Sequence, residues 1–217
     1  MSKLLIVFAV FSLVFVICFA WQQRSQQSFI KNYPFHPAIR EKLRRKHPNL
    51  GENELDRVFT GLRDYFYCCN LARRRIVSMP SQVVDEAWHE FILFTRSYQK
   101  FCNRAFGRYL HHTPAEAMAT PTLAQDGIKR AWRLSCHKER INPKAPDRLP
   151  LLFALDHDLA IPGGFVYSLA CVPGDQHYCA SHIGCGSSGC GGDLSCDGND
   201  IADSCGDSGC GGGCGGD

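Results

Sequence analysis

The chain has 217 residues, enough for one ordinary domain with appendages and no more. Its net charge of +3 conceals a division: all 24 Lys and Arg lie at or before Arg148 against 12 acids, whereas nine aspartates and no base follow from Leu149 onward. That opposition favours contact with anionic lipid, an acidic protein or the chain's own tail. Nucleic acid is disfavoured, because the cluster Arg40, Lys42, Arg44, Arg45, Lys46 has no interleaved aromatics and no binding motif.

Leu4 to Ala20 is an uncharged apolar run closed by Trp21. At about 1.5 Å per residue it just spans a hydrocarbon core of about 30 Å, with Trp21 as interfacial anchor. The alternative is a cleaved signal peptide. Cys18-Phe19-Ala20 resembles a cleavage site, but the run exceeds the usual apolar region of about 7–15 residues. Lys3 and the free amine flank one side, and Arg24, Lys31, Arg40 and the basic cluster flank the other. That bias places the body in the cytoplasm. There the thirteen cysteines are thiols or metal ligands; outside the cytoplasm they become disulfide candidates.

Gln22 to Phe35 reads as a polar, irregular linker. Pro37 to Lys46 predicts a short basic helix with Ile39 and Leu43 on one face, ended by Pro48 and Gly51. Leu55, Val58, Phe59, Leu62, Phe66 and Cys69 form the apolar stripe of a second helix, with Asn53 as its cap. Cys69 on that stripe is a small buried hydrophobe, and Cys68 the better candidate for reactivity. Ser81 caps a long helix reaching about Asn103, and Gly107 interrupts the pattern. Thr113-Pro114-Ala115-Glu116 is a capping box that opens a short helix. Thr122-Leu-Ala-Gln125 opens another, carrying Leu123, Ala131 and Leu134 inward as far as about Lys138. Later prolines forbid long helices. Leu149 to Asp156 is read as a buried turn or strand, and Ile161 to Tyr167 as a turn into a strand. The fold class is therefore mainly α: an amino-terminal transmembrane helix (1–21), a linker (22–35), a bundle of four or five helices (36–170), and a disordered Gly/Cys/Asp-rich tail (171–217).

Asp85 and His89 stand four residues apart on the long helix and face the same way. A carboxylate one turn from an imidazole can fix its tautomer, as is common for metal-ligating or proton-transferring histidines. Trp88, Ile92 and Leu93 supply an apolar wall. On a continuous helix Cys102 lies about 20 Å from His89, so the two cannot share an ion. His111 and His112 follow Gly107, and the chain can turn one of them back. Two constellations stay open: Asp85 and His89 with a returning histidine, which suits zinc or another borderline divalent ion, or Cys102 with His111 or His112. Against both stands a plain aromatic core containing a satisfied Asp–His pair. His89-Glu90 begins like H-E-x-x-H, but Leu93 occupies the second histidine's place. No G-x-S-x-G, P-loop or Rossmann glycine pattern is present.

Asp85-x-x-Trp88-His89 with Leu93, Tyr98 and Cys102 resembles the recurring motif of the glycine-rich domain-containing proteins of plants. The stretch from about 35 to 170 is closer still to uncharacterised bacterial membrane proteins with a W-H, T-x-x-Y-x-x-F-C, H-H pattern. The plant motif often carries a second histidine two residues after the first, where this chain has Phe91. The resemblance implies a coherent domain and no particular activity.

The tail repeats Cys185-Gly-Ser-Ser-Gly-Cys190-Gly-Gly as Cys205-Gly-Asp-Ser-Gly-Cys210-Gly-Gly. None of its cysteines has C-x-x-C spacing, so neither a zinc ribbon nor a thioredoxin-type pair is indicated. The expectation is a non-catalytic, membrane-anchored protein for interaction or metal handling, with a protein partner through the basic body or acidic tail. The alternatives are a metal-dependent enzyme centred on Asp85 and His89, and a secreted disulfide-stapled protein.

Overall fold

In the computed structural model, residues 2–112, 121–169, 178–179 and 183 are described. They form α1 (Ser2–Lys31), α2 (Pro37–Lys46), α3 (Glu52–Ala72), α4 (Gln82–Ile92), α5 (Thr95–Phe106), α6 (Pro121–Glu139), α7 (Leu151–Asp158), β1 (Tyr167–Ser168) and β2 (Tyr178–Cys179). The fold is mainly α, as the periodicity predicts. The capping box at Thr113–Glu116, the side chain of Leu123 and most of the tail lie outside the described residues.

α1 is long and apolar enough to cross a membrane, and its large side chains from Ile6 to Ile17 are exposed. It does not stop there. Residues 22–31, expected as an irregular linker, continue the helix and dock on the body. Ile30 is fully buried, Phe29 packs against Phe101 at 5.8 Å, and Gln26 Oε1 accepts from Asn70 Nδ2 at 3.0 Å. The polarity that suggested a linker belongs to the undocked face of an amphipathic continuation.

α3 is the central element, packed against α1, α4, α6 and α7. All six stripe residues are buried, and Gly61, Tyr65, Cys68 and Ala72 are buried beside them. A Cβ on Gly61 would meet Leu155 Cδ1 at 2.6 Å, so α7 crosses α3 where the side chain is smallest. Gly51, not Asn53, is the cap, and its N–H donates to Glu54 Oε2 at 2.7 Å. α2 has the expected bounds, with His36 Nδ1 accepting from the Ala38 N–H and Ile39 and Leu43 buried.

The single long helix from Ser81 to Asn103 is two helices. Phe94 (φ −82°, ψ 59°) interrupts the ladder, and its ring turns to lie 5.1 Å from that of His36. The interruption redirects α5 so that Tyr98, Phe101 and Cys102 are buried while Leu93, expected as part of an apolar wall, is two-thirds exposed. Phe91 and Phe101 join Tyr33, Phe35 and Phe66 in one aromatic core.

α6 buries Ala131 as expected, but its largest inward residue is Trp132, and Leu134 is only partly buried. Leu149–Asp156, read as a turn or strand, is helical as α7: a short apolar run does not distinguish a buried strand from a buried helix. β1 pairs in parallel with β2, Tyr167 opposite Tyr178. Ile183 is also buried.

Asp156, unremarked in the sequence, ties these parts together. Its buried carboxylate accepts from Ser81 Oγ at 2.7 Å, and from the backbone N–H groups of Gln82 (2.6 Å), Val83 (3.2 Å) and Phe165 (2.9 Å). Ser81 Oγ in turn accepts from Val84 N at 3.4 Å, the expected cap. One carboxylate from α7 thus satisfies the amino end of α4 and holds the 161–165 turn, with charge favourable to the helix dipole. Asp156→Ala should lower unfolding free energy by about 3 kcal/mol, since it leaves several buried donors unpaired. Gly164→Ala should also destabilise, because its Cβ would lie 2.7 Å from that of Asp156. Thermal and urea denaturation of the full-length protein in detergent checks both; wild-type midpoints would contradict this account.

Candidate metal centre

Asp85 lies in the first turn of α4 and His89 one turn later, so both side chains leave the same face of the helix. Asp85 Oδ2 is 3.6 Å from His89 Nε2, and Asp85 Oδ1 is 2.9 Å from His112 Nε2. The two imidazole rings are 4.3 Å apart. One donor atom from each of the three residues falls within a mutual separation of 4.8 Å. His112 and Asp85 are largely covered, with side chains 14% and 21% exposed, while His89 is half exposed.

His112 reaches this point through a defined return of the chain. Gly107, with φ 67°, takes the left-handed conformation that ends α5 and reverses the backbone. Tyr98 Oη then donates to the Leu110 carbonyl at 2.5 Å and accepts from Trp88 Nε1 at 3.1 Å. α4, α5 and the loop are therefore pinned two residues before His112. Trp88 also lies against the His112 ring at 4.5 Å and against Tyr65 at 5.1 Å. Tyr65 Oη donates to the Val77 carbonyl, fixing the segment between α3 and α4. Burial pushes the Tyr65 and Tyr98 hydroxyls above their ordinary range, so they stay protonated and keep donating.

The three residues line one wall of an open cleft of about 450 Å³. Arg74, Arg75 and Arg108 line the same cleft, and among the described residues no acid other than Asp85 does. Arg108 is held by the backbone carbonyls of Arg73 and Tyr109.

Of the remaining candidates, His111 is exposed and its ring lies on Tyr109, outside the cluster. Cys102 is fully buried beside Tyr98, and burial raises its thiol above the ordinary range. The Cys102–His constellation does not form: the chain return brings His112 to Asp85 instead. Cys68, expected to be the more reactive of its pair, is also buried, contacts Ser135 Oγ at 3.7 Å, and has its thiol pushed up to about 12 by desolvation. Glu90 points away from His89 and pairs with Lys42 at 2.8 Å, which holds its carboxyl below the usual range. The basic cluster is likewise paired: Arg40 with Glu52 and Asp56, Arg44 with Glu41 and Glu52, Arg45 with Glu41, Lys46 with Glu86 and Glu90. Its charge is neutralised within the body. Sequence reasoning missed the Trp88–Tyr98–Leu110 chain and the cleft arginines. On an unbroken helix a ten-residue separation puts Trp88 and Tyr98 about 15 Å apart, so only the break at Phe94 lets them meet.

The UCP032817-like family model matches residues 25–188, which contain the whole cluster and exclude the apolar run. A search of the curated proteins and of the solved structures found no match.

Tyr98→Phe should leave the body folded but free the Leu110 carbonyl. Amide hydrogen exchange across residues 110–112 should rise by about tenfold, the loss of one buried hydrogen bond; unchanged protection would show the loop is held otherwise. A thiol protonated in the fold up to about 12 but ionising from 9.0 when unfolded makes the unfolded chain the weaker proton binder between those values. The Cys68 contribution to stability is thus complete below pH 9 and lost as pH climbs towards 12. Cys68→Ala should flatten this alkaline decline in denaturation experiments.

Proposed function

The chain belongs to the UCP032817-like family through the segment that builds this body, and we propose that it is a membrane-anchored protein whose body binds a divalent metal ion through Asp85, His89 and His112. The observation that carries this reading is the convergence of the three donor atoms within 4.8 Å, two from α4 and one from the loop after α5. Each histidine lies against its own oxygen of the Asp85 carboxylate, at 2.9 and 3.6 Å, so all three side chains face one point. Two imidazoles with one carboxylate suit zinc or another borderline divalent ion. Trp88 and Tyr98 then act as positioning residues, because they hold the loop that carries His112.

In this reading the apolar run is an uncleaved single-pass anchor, with the body on the cytoplasmic side by its flanking bases. Metal handling is the leading role, with a protein partner through the basic body or acidic tail. One observation favours a second reading, a metal-dependent enzyme: three protein ligands beside an open cleft leave a coordination position for substrate or water, as catalytic sites do.

Cobalt(II) binding to the full-length protein tests the site separately from the cysteine-rich tail. A site made of two imidazoles and a carboxylate gives weak visible absorption, whereas tail thiolates give intense sulfur-to-cobalt bands. One equivalent of the sulfur-free signal is expected for wild type, and His112→Ala should weaken its binding about a hundredfold or more, at least the loss known for disturbed supporting residues. No sulfur-free signal in the wild type would remove the proposal.

A further inference from the structure

A second pocket, of about 260 Å³, lies where α1 leaves its apolar stretch and meets the ends of α3 and α5. Gln22 and Gln26 of α1 line one side, Asn70, Arg73 and Arg74 another, and Arg108 a third. Among the described residues, three cations and no acid face this space. Phe19 closes its apolar side, and the Arg73 guanidinium lies 4.4 Å from the Phe19 ring while its Nη2 donates to Gln23 Oε1 at 3.3 Å.

Two unusual features border this space. Asn70 is 6% exposed, and its Nδ2 donates to Gln26 Oε1 and to the Ala105 carbonyl at 2.8 Å. Those bonds fix the amide, and Oδ1 is left as the only buried side-chain polar atom without a hydrogen-bond partner among the described residues. Arg73 ends α3 with φ 57° and ψ −100°, a backbone conformation that a residue with a side chain adopts only at a cost. The chain places an arginine there, and that conformation delivers its side chain to the notch.

Depth decides the ligand class. With the exposed apolar residues to Phe19 in a bilayer and Trp21 at its surface, Gln22 and Gln26 lie at the level of the lipid phosphates. We propose that the notch binds the headgroup of an anionic phospholipid of the phosphatidylglycerol type. The phosphodiester takes the guanidinium groups of Arg73, Arg74 and Arg108, and a terminal glycerol hydroxyl meets the Gln22 amide on the facing wall. This assignment rests on the reading of α1 as a retained anchor and is independent of the metal site.

The test is native mass spectrometry of the full-length protein extracted from bilayers of equimolar phosphatidylglycerol and phosphatidylcholine. Arg74, exposed and outside the fold's described hydrogen bonds, is the informative position. Wild type should retain one phosphatidylglycerol and no phosphatidylcholine. Arg74→Gln should retain it about fivefold less well, the effect of one basic residue near an anionic surface. Arg96→Gln, the same change at the far end of α5, should match wild type. Equal retention in both variants overturns the site while leaving the anchor intact. An intact mass lacking the apolar run overturns anchor and site together. Displacement by inorganic phosphate as readily as by the lipid would reassign the pocket to a soluble anion and overturn the lipid proposal.

Discussion

The carboxylate of Asp156 sits inside the protein at the start of α4, and the arrangement of the functional face follows from it. Four donors from two segments converge on its oxygens, so α7, the first turn of α4 and the 161–165 turn are held in one mutual position. A buried charge is tolerable only when fully hydrogen-bonded, and that requirement leaves little freedom for the elements supplying the donors. Because Asp85 belongs to the turn of α4 that this carboxylate caps, the direction of its side chain is inherited from α7.

His112 is placed by a different device. The interruption at Phe94 lets α5 fold back beside α4, and Tyr98 spends both functions of its hydroxyl, accepting from Trp88 and donating to Leu110. The metal-competent geometry is thus the product of a capped helix start and a hydrogen-bonded loop end. Trp88 also backs the His112 ring, while Asp85, His89 and His112 all line the open cleft.

Local pattern carried much of this into the sequence. The α3 stripe, the bounds of α2, the Ser81 cap and the Asp85–His89 pair all follow from spacing within a few turns of one helix. The failures share a cause: they depended on partners distant in the chain. Phe94 looks like any apolar residue in a helical period until its turn towards His36 is known. The polar run 22–31 looked irregular because Asn70 and Phe101, which dock it, lie elsewhere. The choice of His112 over His111 could not be made, since adjacent residues differ only in direction and the Leu110 tether sets that direction. The cluster of bases on α2 suggested an outward-facing surface, and the acids that neutralise it come from α3 and α4 as well as from α2 itself.

The unbroken passage of α1 into the body changes what anchoring would mean. A flexible leash would let the domain sample a hemisphere of orientations. A helix continuing from Gln22 to Lys31, about 15 Å at its rise per residue, acts as a stiff post with the domain clasped to its side. In an anchored chain, rotation would be confined to spinning about the post and tilting with it, and the cleft would turn with the anchor.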